Sequence, residues 1–149
     1  APNLFWSPMV RGWAFEQQGR VEEALAEFDA AMTQSGGLTI AAASRGHALA
    51  LLGQEGEARR VADELIARSR TTYVPAYEIA VVFAGLGDFD STFEWLQHAV
   101  RERSTWLVHV GWDARFRDAR SDARFAAIVR GIGLPLHSIR TGIASHPSQ

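Results

Sequence analysis

Cysteine and lysine are both absent from the 149 residues, and methionine occurs only twice. Without cysteine there is no disulfide framework, no thiolate nucleophile and no cysteine-ligated metal. Without lysine, all fifteen basic residues are arginine, and together with 24 alanines this points to a GC-rich coding sequence. Alanine also lets helices approach closely while keeping helix propensity high. No apolar run approaches the roughly 20 residues of a membrane-spanning helix. There is no basic leader followed by an apolar stretch, so no secretory signal is read. The chain opens at Ala1 without an initiator methionine, which raises the expectation of a piece cut from a longer, cytoplasmic polypeptide. The net charge of -2 lacks the basic footprint of a general nucleic-acid binder. The length fits one domain.

Recognisable catalytic spacings are missing too. The histidines His47, His98, His109, His137 and His146 form no HExxH pattern or close ligand cluster. Gly85-Leu86-Gly87 lacks the third glycine and the lysine of a phosphate loop. Ser35, Ser44, Ser69 and Ser104 stand in no nucleophile elbow. The carboxylate pairs Glu22/Glu23 and Glu55/Glu57 read as solvated helix faces. The expectation is a protein without catalytic residues, metal or cofactor.

What the sequence does contain is helical periodicity. Residues 21–32 place Val21, Ala24, Leu25, Phe28, Ala31 and Met32 on one stripe, with acidic residues on the remainder. Residues 39–51 are small or apolar nearly throughout, the profile of a helix packed on two sides. Further helices are predicted over about 55–69, from Pro75 to about Leu86, and over about 90–102. Six columns recur at a spacing of 34 residues. They are Gly12/Gly46/Ala80, Phe15/Leu49/Phe83, Gly19/Gly53/Gly87, Ala24/Ala58/Thr92, Phe28/Ala62/Leu96 and Ala31/Leu65/Ala99. Small residues mostly align with small and bulky with bulky, Ala62 between Phe28 and Leu96 being an exception. Each unit reads as helix, tight turn, helix, which at this period is a solenoid signature.

On these columns the chain resembles the tetratricopeptide repeat family. The resemblance implies an all-α fold, a right-handed superhelix of antiparallel helix pairs. It divides the chain into repeats at 5–38, 39–72 and 73–106, a degenerate capping unit at 107–134 and a tail at 135–149. Thr92 stands where the family carries a small alanine, and Gly36 and Arg70 stand where it carries proline. The stretch from Tyr73 to Leu134 is similar to the C-terminal part of bacterial multidomain regulators, whose other modules are kinases, cyclases or transcriptional regulators. That resemblance implies a regulatory appendage and transfers no catalytic residue.

After residue 103 the register fades. Ser104 or Thr105 is expected to cap a short helix holding Trp106, Leu107, Val108 and Val110. Asp113-Ala114-Arg115-Phe116 recurs nine residues later as Asp122-Ala123-Arg124-Phe125. Ser121 is expected to cap a last helix at about 122–131, with Leu134 as an apolar plug. Charge divides unevenly: residues 1–100 carry 7 Arg and 13 acidic residues, residues 101–149 carry 8 Arg and 4. Arg115, Arg117, Arg120 and Arg124 are therefore either paired with Asp113, Asp118 and Asp122 or a docking site for an acidic partner.

The family's groove positions, carried over, select Trp6, Met9, Trp13, Glu16 and Gln17 in the first unit. The second gives Ile40, Ala43, His47 and Leu51, and the third Tyr77, Val81 and Ala84. Trp13, Gln17, His47, Leu51, Tyr77 and Val81 are the residues expected to hold a partner's peptide or helix. Leu4, Phe5, Trp6 and Met9 form an apolar end that invites weak homodimerisation. The alternatives are a structural spacer, which would not need Trp13 or Tyr77, and an enzyme whose residues converge from distant positions.

Overall fold

A computed structural model describes residues 3–133. The Leu134 plug and the tail at 135–149 lie outside the described residues. Within them the fold is all-helical. The α-helices are α1 (Trp6–Gln17), α2 (Val21–Ser35), α3 (Thr39–Leu51), α4 (Glu55–Ser69), α5 (Ala76–Leu86), α6 (Phe89–Arg101) and α7 (Arg124–Gly131). Three 3-10 turns, Thr105–His109, Ala114–Phe116 and Ala119–Ser121, build a strap between α6 and α7.

Each helix packs on the next from α1 to α6, and α3 also lies against α5. Glycine decides two features of this packing. Gly19, Gly53 and Gly87 sit at the α1–α2, α3–α4 and α5–α6 turns with φ of 77°, 77° and 70°, a region costly for side chains with a Cβ. Gly46 lets α3 close on its neighbours: a Cβ there would lie 2.8 Å from Val61 Cγ1 on α4 and 3.1 Å from Val82 Cγ2 on α5. At the start of α6, Asp88 Oδ1 accepts the Ser91 backbone N–H at 3.1 Å, so the helix begins slightly before the expected residue 90.

Three apolar clusters follow one another along the chain. The first joins Met9, Phe28 and Ala31 to Ile40 and Ala48. The second joins Leu49, Val61 and Leu65 to Ile79 and Val82. The third joins Tyr77, Val81 and Leu96 to Leu107, Phe116, Phe125 and Ile128. Leu25 and Met32 bridge the first two, and Trp95 the last two. Trp106 does something different, packing against both the first cluster and the third. The strap therefore reaches back across the helices to the α1 end of the molecule.

Burial of α5 explains why the strap lies there. From Ala76 to Phe83 every residue of α5 is buried, Glu78 included, and a helix otherwise apolar all round needs cover on all sides. Helices α3, α4 and α6 supply part of it, and the strap turn Ala114–Phe116 supplies more. Phe116 is completely buried, worth about 2–3 kcal/mol of apolar transfer.

The repeated Asp-Ala-Arg-Phe sequence has one local geometry used twice. Asp113 Oδ1 accepts the Arg115 backbone N–H at 3.1 Å while its carboxylate takes the guanidinium at 2.9 and 2.8 Å. Asp122 repeats this on Arg124, with the backbone N–H at 2.9 Å and the guanidinium at 3.1 and 2.9 Å. In each copy the phenylalanine is buried. Asp122, rather than Ser121, thus holds the first turn of α7, and the Ser121 hydroxyl donates to the Asp118 carbonyl instead. At the other end of the molecule, Leu4, Trp6 and Val10 are exposed while Met9 is fully buried. The apolar end is consequently narrower than the sequence suggested.

Candidate functional site

The strap and α1 enclose a two-lobed cleft. One lobe, of about 300 Å³, is walled by Trp13 of α1 and by Trp106, His109 and Trp112 of the strap. The other, of about 320 Å³, runs along His47 and Leu51 to Leu86, Phe89, Arg117 and Asp118. Glu16, Gln17, Ala114 and Arg115 line both lobes and form the saddle between them.

Helical spacing places the α1 contributors. Trp13, Glu16 and Gln17 lie three and four residues apart, hence on one face. Trp13 is anchored by its indole Nε1–H, which donates to Ser44 Oγ at 3.1 Å. Glu16 Oε1 lies 2.7 Å from His47 Nδ1, with side-chain exposures of 9% and 5%. These two links, Trp13 to Ser44 and Glu16 to His47, tie α1 to α3.

The strap side is held by a second polar chain. The Tyr77 hydroxyl donates to Asp113 Oδ2 at 2.7 Å, and Asp113 holds Arg115 as described above. Burial alone would push the Asp113 carboxyl up, but the Arg115 charge and the hydrogen bonds from Arg115 and Tyr77 outweigh it. Its pKa is lowered to about 2. Burial and the facing Asp113 charge push the Tyr77 hydroxyl well above its ordinary value. For Arg115, burial opposes the charge, yet Asp113 more than compensates, so the guanidinium is held more firmly protonated. Its Cζ also lies 5.9 Å from the Trp13 ring centroid. Arg120 donates to the Asp113 and Val110 carbonyls at 2.9 and 3.3 Å, fixing the strap's turns to one another.

Of the groove residues chosen from sequence, Trp13, Gln17, His47 and Leu51 come together on this cleft. Tyr77 and Val81 do not. Both are about 1% exposed, because the strap fills the face of α5 that would otherwise have been open. Of the arginines chosen as a docking site, Arg115 is bound to Asp113, Arg120 to backbone carbonyls, and Arg124 to Asp122 and Asp90. Arg117 is exposed and, among the described residues, has no carboxylate within ion-pair distance. Two of the four arginines, Arg115 and Arg124, are thus paired with carboxylates of the chain itself.

The sequence reading missed the strap as a wall of the site. Trp106 and Trp112 had no periodic partner in the sequence. A tryptophan immediately before the Asp113-Ala114-Arg115 anchor was the available sign. Among the described residues no three His, Asp or Glu side chains gather as a metal site, and no helix is long and apolar enough to cross a membrane. Comparison with protein-family models, curated proteins and solved structures gave no match.

Proposed function

We propose that this chain is a non-catalytic protein-interaction module that holds a peptide segment of a partner in the cleft between α1 and the strap. The observation that carries this reading is the convergence of three tryptophans, from two distant segments, on one open cleft with a polar saddle. Trp112 keeps 48% of its surface exposed while its neighbours in the strap are tied down. Large rigid aromatics at such a place give contact area at little entropic cost.

In this reading α1–α6 are three helix pairs of a tetratricopeptide-like, right-handed array, and the strap with α7 is its cap. The 34-residue recurrence of positive φ at Gly19, Gly53 and Gly87 supports that assignment. The close contact of Gly12 with the Phe28 ring, matched by that of Gly46 with Val61, supports it too. The module would serve as the C-terminal, cytoplasmic part of a larger bacterial regulatory protein.

Two other readings have one observation each. A spacer is favoured by the strap covering Tyr77 and Val81, which leaves no groove on α5. Acid–base chemistry is favoured by the buried Glu16–His47 pair. The cleft lining holds no serine, threonine or cysteine, however, so the pair has no nucleophile beside it. Selection of peptides from a displayed library on the folded chain tests the binding reading. Selected peptides should lose about tenfold or more in affinity on Trp112→Ala. Unchanged affinity, or no selected sequence at all, overturns it.

A further inference from the structure

Resting on the cleft reading, we infer that the tryptophan lobe receives an arginine side chain of the partner peptide. The argument starts at Glu16. Its side chain is only 9% exposed and its Oε1 is taken up by His47, yet among the described residues Oε2 accepts no hydrogen bond. Oε2 is not sealed off like a buried orphan oxygen: it stays open to the cleft, where it can accept from a ligand's donor. That residue lines both lobes, so a ligand in the cleft is placed to supply it.

Charge points the same way. The tryptophan lobe is lined by two carboxylates, Glu16 and Asp113, and by one guanidinium, Arg115. Arg115 is committed to Asp113 through two side-chain hydrogen bonds, while Glu16 is held through one oxygen by His47 and has no guanidinium bonded to it. A phosphorylated or acidic residue entering here would be repelled; a cation would be held.

The walls then discriminate between cations. Trp13, Trp106 and Trp112 offer aromatic surface, and a guanidinium already lies against it, that of Arg115 over Trp13 at 5.9 Å. A guanidinium can lie flat on an indole while directing N–H groups in its plane at a carboxylate. A lysine ammonium is compact and more strongly hydrated and cannot do both as well. The arginine of the partner would thus add a second cation to the same aromatic wall, donating to Glu16 Oε2 as Arg115 donates to Asp113.

The test uses the whole chain with ¹⁵N-labelled indoles and three acetylated, amidated pentapeptides. These are alanine peptides with arginine, its neutral isostere citrulline, or leucine at the centre. The arginine peptide is expected to shift the indole signals of Trp13, Trp106 and Trp112 and to bind about tenfold more tightly than the citrulline peptide. Glu16→Gln should abolish that preference. Because Glu16 also holds His47, the exposed Trp112→Ala provides a second variant, expected to weaken the arginine peptide by a similar factor. Equal binding of arginine and citrulline, tighter binding of leucine, or no shift of the three indoles each overturns the inference. The broader reading fails differently, when library-selected peptides bind Trp112→Ala unchanged.

Discussion

Replacing Asp113 by asparagine removes the charge that fastens the strap while leaving an acceptor for the Tyr77 hydroxyl. The Asp113 and Arg115 side chains are 11% and 16% exposed, so solvent screens their attraction only partly. The variant leaves a guanidinium in that setting without its carboxylate, at a cost of about 3 kcal/mol near neutral pH. The pH dependence follows from linkage. The folded carboxyl titrates at about 2, below the value near 4 of an unfolded chain. The folded state therefore binds fewer protons, and the stabilisation is fully present above about pH 4 and lost as pH falls towards 2. A shift of about two units corresponds to about 2–3 kcal/mol. Urea unfolding followed by circular dichroism, on both proteins between pH 7 and pH 2.5, measures the difference directly. The gap should be widest at neutral pH and close by most of that amount at the acid end. A gap that stays constant, or a variant as stable as the parent at pH 7, would refute the assignment of Asp113 as the strap's anchor.

Gly46→Ala is expected to cost about 1–2 kcal/mol, since its Cβ would press on Val61 and Val82. Gly56→Ala, in the first turn of α4 with nothing within 4 Å, should instead stabilise by about 0.5–1 kcal/mol; paired urea midpoints compare the two. Tyr77→Phe removes the hydroxyl donor to Asp113, so stability should fall by about 1 kcal/mol and the Asp113 titration, followed by carboxyl NMR, should move upward. Leu4, Trp6 and Val10 are exposed together, and sedimentation at rising concentration should show weak self-association that Val10→Glu removes. A monomer throughout would take that end out of the account.

The helices were readable because their cause is local. The stripe Val21, Ala24, Phe28 and Ala31 needs only a neighbouring apolar surface, and Glu22 and Glu23 suit the positive end of the helix dipole. The three turn glycines were likewise visible at their 34-residue spacing. The strap was not readable in the same way. Its 3-10 turns have no sustained period, and their position depends on Asp113 meeting Tyr77 across 36 residues of sequence. That bond, with Phe116 packed edge-on against the Tyr77 ring, covers a side chain that the sequence alone left free to face a partner. The composition of α5 carried a hint, because Ala76 to Leu86 is apolar except for Glu78 and demanded more cover than α3, α4 and α6 provide. Glu16 and His47 were both legible as cleft residues, but their pairing rests on the separation of α1 from α3, which Trp13 and Ser44 help set.

The five tryptophans allow the central claim to be tested in one titration. Trp13, Trp106 and Trp112 line the cleft, Trp6 packs beside Trp13 with ring centroids 6.4 Å apart, and Trp95 bridges the second and third apolar clusters away from it. Adding a library-selected peptide to the ¹⁵N-labelled chain should shift the indole signals of Trp13, Trp106 and Trp112 together and leave Trp95 in place. A peptide that binds while those three signals stay still, or that moves Trp95 alone, would contradict the cleft as the binding site.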